Sequence, residues 1–357
     1  MNSQPLPPPQ ADDKDKSAAS RQRATVAYAF VTGMLAGCHR RGITPAPLLA
    51  AAGITGEQRV PLADYAALYN HVNQVLDDEA FGLFSQPMRV GSFEFLCRGL
   101  LSAATLADAL DRAIRFLRLV LPDMQIEVGQ DAHSGWLRLS ENCPLAQDNA
   151  DPARVFAFEW LLRLLHGLAC WLVGRGLTLD EVTFPYARPA HAADYALIYT
   201  EHSHFDASAL LARFNAHFLD LPIRRDEQAL TAFLTGGPGR LTTLYRRDRE
   251  MVQRVRDTLR DALPASLGLD QVADRLYLSE RTLHRRLADE GVSFRVIKDA
   301  LRRDLALARL AKSQHSVAEI AAYLGYTDPS AFYRSFVTWT GVSPSQYRKK
   351  LKGESTT

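Results

Sequence analysis

Arg281, His284 and Arg285 in the last third of the chain, and Ser330, Tyr333 and Arg334 some fifty residues later, hold corresponding places in two similar stretches. They are the residues left facing outward once the apolar positions around them are assigned to a core. Guanidinium, imidazole and hydroxyl groups presented together suit the edges of base pairs in a major groove, where arginine can bond guanine O6 and N7 at once. These six are the expected base contacts. Ser279, Arg302, Arg303 and Lys349 are expected on phosphates, which position a protein without reading sequence. The implied partner is double-stranded DNA.

The elements that must position these residues are legible as an internal repeat. Val272, Ala273 and Leu276 match Ile320, Ala321 and Leu324 at a separation of 48; Leu283, Arg285 and Leu287 match Phe332, Arg334 and Phe336 at 49; Gly291-Val292-Ser293 matches Gly341-Val342-Ser343 at 50. Each copy reads as a helix-turn-helix. Val272, Ala273 and Leu276 form one apolar stripe, Leu278 fills the turn, Ser279 caps the second helix, and Leu283 and Leu287 face back at i, i+4. In the second copy Asp328-Pro329 supplies a cap followed by proline at the first helical position, and Gly291 and Gly341 end the second helices. The connector between the copies repeats Ile297, Leu301, Leu305 and Ala308 on one face. About 18 residues at ~1.5 Å each span roughly 27 Å, close to the ~34 Å between successive major grooves.

Charge is divided along the chain. The whole carries a net +2, but residues 240–352 hold 22 Lys and Arg against 13 Asp and Glu, a net of +9, and the remainder stands at −7. That asymmetry assigns a nucleic-acid partner to the basic end. The 357 residues, 47% hydrophobic and 23% charged, are ordinary globular composition and suggest two domains. Cys38, Cys97, Cys143 and Cys170 have neither C-x-x-C nor zinc spacing, so a disulfide scaffold is excluded and reduced thiols in a cytoplasm are expected. Leu35-Ala36-Gly37-Cys38 has the order of a lipoprotein signal, but its apolar run starts late, behind Asp12, Asp13 and Asp15, and reads as a first amphipathic helix. The apolar stretch from Ala153 to Val173 carries Arg154, Glu159, Arg163 and His166 and reads as a buried helix, not a membrane span.

Catalytic chemistry finds no support. G-x-S-x-G, H-E-x-x-H, a P-loop and G-x-G-x-x-G are all absent, and Gly236-Gly237-Pro238-Gly239 lacks the strand and Lys-Ser or Lys-Thr of a phosphate cradle. Glu201, His202 and His204, near His191 and His217, do not converge, because alternate strand residues put Glu201 on the other face. No metal, cofactor or enzyme activity is expected. Asp77, Asp78 and Glu79 read as a solvated helix end. Phe116, Trp136, Phe156, Phe158 and Trp160 are aromatic candidates for core or pocket.

The expected fold class is mainly α: an α+β amino-terminal regulatory domain and an all-α carboxy-terminal domain with two helix-turn-helix motifs. Residues 1–22 read as a disordered tail, 23–235 as the α+β domain, 236–250 as a linker and 251–352 as the basic domain, with its motifs at about 270–291 and 317–340 and a connector at about 294–312. Helices are expected over Ala24–Ala50, Leu62–Leu76, Leu106–Leu119 behind a Thr105 cap, and Ala190–Tyr199. A hairpin is expected from Gln125–Val128 and Trp136–Leu139, and strands at Glu181–Pro185 and near His204.

Residues from about 252 to 350 resemble the DNA-binding domain of the AraC/XylS family of bacterial transcription regulators. The resemblance rests on Ser279, Leu283 and Arg285 in the order Ser-x-x-x-Leu-x-Arg, Ile320-Ala321 with Gly325-Tyr326, Phe332-Tyr333-Arg334-Ser335-Phe336, and Gly341-Val342-Ser343-Pro344-Ser345-x-Tyr347-Arg348. One departure is Leu287 with Asp289-Glu290, where many members have Phe and a basic residue; it places carboxylates near phosphates. Upstream, Gly42-Ile43, Ala52-Gly53, Leu101-Ser102, Thr105-Leu106-x-x-Ala109-Leu110 and Leu219-Asp220-Leu221-Pro222 resemble the family's arabinose-binding-like regulatory domain. The resemblance implies a cytoplasmic, dimeric sensor of a small-molecule effector that controls transcription, as an activator acting with RNA polymerase. The alternatives are a regulator, repressors included, controlled by a protein partner without a small ligand, and an enzyme fused to a DNA-binding module.

Overall fold

A computed structural model describes residues 25–56, 59–131, 134–241, 250–312 and 315–351. The tail expected over 1–22 and much of the linker expected over 236–250 lie outside them. The amino-terminal part opens with β1 (Thr25–Val26), α1 (Tyr28–Arg40), α2 (Ala46–Ala51), β2 (Val60–Pro61), α3 (Leu62–Leu76), α4 (Ser92–Leu100) and α5 (Leu106–Val120). It continues with β3 (Met124–Gln130), β4 (Ser134–Glu141), α6 (Pro152–Val173), β5 (Glu181–Thr183), α7 (Tyr195–Ile198), β6 (Ser203–His204), β7 (Leu210–Asn215) and α8 (Glu227–Leu234). The carboxy-terminal part is entirely helical: α9 (Glu250–Asp261), α10 (Leu269–Arg275), α11 (Glu280–Asp289), α12 (Phe294–Lys312), α13 (Val317–Tyr323), α14 (Pro329–Thr340) and α15 (Pro344–Leu351). The molecule is thus mainly α, with an α+β part followed by an all-α part.

Five strands form one sheet in the order β3-β4-β7-β5-β6, antiparallel except for β5 beside β6. Strand alternation sorts its faces. Leu137, Leu139, Leu210, Ala212 and Val182 are buried on one face, and Leu137, Ala212 and Phe214 meet Leu106 and Leu110 of α5 and Leu162 and Leu165 of α6. Trp136, Arg138, Leu211 and Arg213 alternate with them onto the other face. Helix α6 is apolar on nearly every side and runs through the middle of the core, begun by the Asp151 carboxylate on the Ala153 and Arg154 N–H groups and ended by Gly174. It has the length and apolarity to cross a membrane but is wholly enclosed by the protein. Cys38 is buried on α1, and Gly37 beside it is required by close packing, since a Cβ there would lie 1.7 Å from the Phe81 carbonyl oxygen.

Several expectations are corrected. The helix expected over Ala24–Ala50 is a short strand and two helices, and Ala190–Tyr199 holds one helical turn and the four-residue α7. Strand β7, central in the sheet, and α4 carry no expectation. Asp78 and Glu79 are not solvated. Asp78 is fully buried, accepts the N–H groups of Ala80, Gly82 and Met88 and pairs with Arg41 at 3.0 Å; Glu79 accepts the N–H groups of Gly91 and Phe93. They hold the 77–91 loop by satisfying backbone donors that burial would otherwise orphan. Gly237 and Gly239 pack against Asn70 of α3, whose side chain accepts from the Gly239 N–H.

Candidate nucleic-acid interface

The first helix-turn-helix is α10 and α11. Val272 and Ala273 are buried against Leu283 and Leu287, and the cluster is completed by Met251, Val255 and Leu259 of α9 and Ile297 and Leu301 of α12. The Leu278 N–H returns to the Ala273 carbonyl to close α10, and the Ser279 hydroxyl accepts from the Thr282 N–H at 3.1 Å to open α11. Glu290, expected near phosphates, has another task. Its two oxygens accept the Met251 and Val252 N–H groups at 2.8 Å each, capping the start of α9, where a carboxylate also complements the helix dipole.

The second helix-turn-helix, α13 and α14, has a separate core of Ile320, Ala321, Leu324, Phe332 and Phe336 with Ala306 and Leu310 of α12. Ser316 and Glu319 make a reciprocal capping box on α13. Gly325 holds the turn at φ +76°, and a Cβ there would meet the Pro264 carbonyl oxygen at 2.6 Å. Asp328 accepts from the Ser330 N–H at 2.8 Å ahead of Pro329, and that hydrogen bond holds its carboxyl below the usual carboxylate range. Gly341 ends α14 at φ +73°.

With both cores filled, Arg281, His284 and Arg285 of α11 and Ser330, Tyr333 and Arg334 of α14 are exposed. The 19-residue connector α12 separates the two sets, a span of about 28 Å. Lys349 is exposed on α15, and Ser279 is occupied as a cap. Arg302 does not stand free. It donates to the Leu324 carbonyl and to Ser266, and its guanidinium stacks 4.6 Å from the Tyr326 ring centroid. Arg303 is corrected outright: it is only 4% exposed, held by an aspartate of the amino-terminal part, so its guanidinium is not available to a phosphate.

That aspartate belongs to a charged cluster joining the two parts of the chain. Asp194 Oδ1 lies 2.6 Å from Arg303 Nη2 and 3.0 Å from Arg59 Nη1, and its Oδ2 accepts the Ala27 N–H. Asp304 pairs with Arg256 at 2.5 Å and with Arg59 at 3.1 Å. Burial alone would raise the pKa of both aspartates; the surrounding arginines more than reverse this, and both carboxyls stay below the usual range. Nearby, Leu197 packs onto the core of the first helix-turn-helix, and Glu201 accepts the Ser293 N–H at the start of α12. The short segment carrying Asp194 and Leu197 hangs from α6: Tyr195 and His191 both reach the buried Glu159 carboxylate, and the Tyr199 hydroxyl donates to the Glu159 carbonyl. Sequence reasoning carried no signal for this, because Asp194 and Arg303 lie 109 residues apart with no local pattern linking them.

Two cavities accompany the amino-terminal sheet. An apolar one between α5, α6 and the sheet, reaching His166, has a volume of about 30 Å³. A larger one of about 280 Å³ opens on the outer face of β4, β7 and β5, lined by Trp136, Arg138, Thr183, Ser208, Leu211 and Arg213. Trp136 was named among the aromatic candidates; the two arginines were not. Phe156, Phe158 and Trp160 are core, and Phe116 is half-buried beside the exposed Phe95. Among the described residues no group of three or more His, Cys, Asp or Glu is placed to hold a metal.

Residues 42–223 match the family described as the arabinose-binding domain of AraC transcription regulators, amino-terminal, and residues 272–350 match a helix-turn-helix domain family. The chain is 31% identical over 293 residues to the ornithine utilization regulator of Pseudomonas aeruginosa, covering 82% of this chain and 85% of that one. It is 28% identical over 209 residues to the transcriptional regulator VqsM of the same organism, covering 56% and 62%. Among solved structures, the transcriptional regulator CdpR of Pseudomonas aeruginosa aligns over 89% of this chain and 97% of its own, at 22% identity and a TM-score of 0.32. Two family matches in the right order, and a relative shared over most of both lengths, place the chain: it belongs to the AraC family of DNA-binding transcription regulators.

Proposed function

We propose that this regulator reads two adjacent major grooves with α11 and α14 and is controlled by a small molecule bound to its amino-terminal domain. The carrying observation is the pair of exposed faces, Arg281, His284 and Arg285 against Ser330, Tyr333 and Arg334. Each is supported by its own buried core, and the two flank one rigid connector. Binding-site selection on Arg285→Ala and Arg334→Ala tests it. Each should lose roughly 1–3 kcal/mol at one base position and relax discrimination there. Variants that keep the parent's base preferences and lose only overall affinity would refute the assignment.

The effector site is the 280 Å³ cavity on the outer sheet face. Arg138 and Arg213 offer bidentate donors to a carboxylate and Trp136 a flat apolar wall. A small carboxylate fits that lining, and amino acids are such compounds, in keeping with the relative named for ornithine utilization. The 30 Å³ apolar cavity has space for about one water. A thermal-shift screen of carboxylate metabolites should raise the melting temperature of the parent and not of Arg138→Ala. The protein acts as a homodimer through its amino-terminal domain and as an activator with RNA polymerase; these readings rest on the family and on the two reading heads already present in one chain.

A further inference from the structure

Four non-glycine residues among those described have a positive φ: Asp77, Phe81, Asp206 and Tyr277. Aspartate tolerates the left-handed region, and Phe81 is locked in the amino-terminal core among Tyr69, Phe156 and Trp160. Tyr277 has neither excuse. It sits at φ +57° in the turn between α10 and α11 and is 96% exposed. A bulky L-residue is strained there because its Cβ crowds the following carbonyl. The repeat makes the contrast sharper, since the position equivalent to Tyr277 in the second copy is Gly325, at φ +76°. The first turn therefore carries a large aromatic where the second carries glycine. Among the described residues of the carboxy-terminal part, Tyr277 and Tyr333 are the large hydrophobic side chains left exposed, and both stand on the reading units.

Position says what Tyr277 would touch. It lies two residues before the Ser279 cap and three before the first residue of α11. The amino-terminal end of a recognition helix is the end that enters the groove, and the chain leading into it passes the sugar-phosphate strand at the groove's edge. A phenol there presents one neutral O–H donor on a rigid stem.

We propose that Tyr277 is a DNA-contact residue of the first reading unit, its phenol O–H donating to a phosphate oxygen beside the groove entered by α11. This rests on the assignment of α11 as a base-reading helix. The turn is held in a strained form that aims the ring outward; strain of this kind persists where function uses it. A neutral donor fixes register without displacing counterions, so it differs from an arginine on phosphate in one measurable respect: the slope of affinity against salt.

The test uses full-length protein and a duplex selected by the parent from a random pool. Tyr277→Gly should melt no lower than the parent, because glycine adopts this φ freely, yet bind the duplex roughly tenfold more weakly, the scale of one hydrogen bond to a charged acceptor. Tyr277→Phe, which loses only the hydroxyl, should weaken binding comparably. Both should keep the parent's salt slope and base preferences. Parent-level DNA affinity in Tyr277→Gly overturns the proposal, whether or not transcription is lost; transcription lost with DNA affinity intact would assign the ring to a protein partner. A loss confined to one base position, or affinity lost in Gly but kept in Phe, also overturns the phosphate contact. If instead Arg285→Ala leaves base preference untouched while both Tyr277 variants lose affinity, the reading of α11 fails and the Tyr277 contact stands.

Discussion

Replacing Asp194 by asparagine should loosen the DNA-binding domain from the sensing domain while leaving each folded. Asp194 is the anion between Arg59 and Arg303, at 3.0 and 2.6 Å, and the cluster of Arg59, Arg256, Arg303, Asp194 and Asp304 already holds three cations to two anions. Asparagine leaves three guanidiniums around the single carboxylate of Asp304. Removing one member of a buried pair costs about 3–5 kcal/mol, most of it the desolvation of the charge left behind. Here that charge is Arg303, which undocking returns to water, so the cost falls on the interface and not on either core. A shift of ~4 kcal/mol changes the docked-to-undocked ratio by roughly a thousandfold. Hydrogen exchange on the full chain reads this directly. Amides of 192–201 and 291–305 should lose protection, while those of α6 keep theirs and report an intact sensing domain. Leu197→Asp, which puts a carboxylate into the interface without stranding an arginine, should expose the same amides. Unchanged protection of both segments in both variants would refute the reasoning. Loss of protection in α6 by Asp194→Asn alone would mean that the aspartate supports the fold, leaving Leu197→Asp to decide.

Two further outcomes are expected. Phe332→Ala should cost about 3–5 kcal/mol in a core of only seven buried residues, unfolding the second reading unit while the first, whose core is separate, keeps its near-native circular dichroism and a weakened single-groove affinity. His191 should make the sensing domain more stable in mild acid. Burial alone would lower its pKa, but the charge and hydrogen bond of Glu159 outweigh that and the pKa is raised. The stabilisation is then fully present below the unfolded value of about 6.5 and is lost as pH rises through the higher folded value. A melting temperature that falls across this window in the parent and stays flatter in His191→Gln is the expected measurement; parallel profiles would refute it.

How much of this was legible in the sequence follows from where each signal resides. Caps are local: Thr105, Ser279 and Asp328 each accept from an N–H two or three residues ahead, and each was read from its own neighbourhood. The two reading units were legible because their cores are built from short-range stripes that occur twice. Strand β7 was missed for the opposite reason. Its sequence, Leu-Leu-Ala-Arg-Phe-Asn, alternates weakly, and its partners β4 and β5 lie far back along the chain. The charged residues failed most consistently. Asp78, Glu79, Glu290 and Arg303 were all read as facing solvent or phosphate, and all four are bound inside the protein. A charge looks solvated in sequence because its partner is invisible there, whether a loop of backbone N–H groups, the start of a helix, or an aspartate 109 residues away.

The reassignment of Arg303 changes how the two domains must be thought to communicate. On a connector helix read alone, every arginine off the apolar stripe looks like a phosphate contact. In the folded chain the Arg303 side of α12 is covered by the sensing domain, while Arg281, His284, Arg285, Ser330, Tyr333 and Arg334 remain exposed with the interface closed. Docking therefore does not mask the reading faces. Its effect on DNA binding has to come from where it holds them. A rigidly clamped domain presents its two helices at one fixed position relative to the amino-terminal domain, and in a dimer that position dictates the separation of the two composite sites. A segment suspended from the core helix α6 by Tyr195 and His191 on Glu159, and carrying Asp194 to the interface, is placed to shift that position whenever α6 moves.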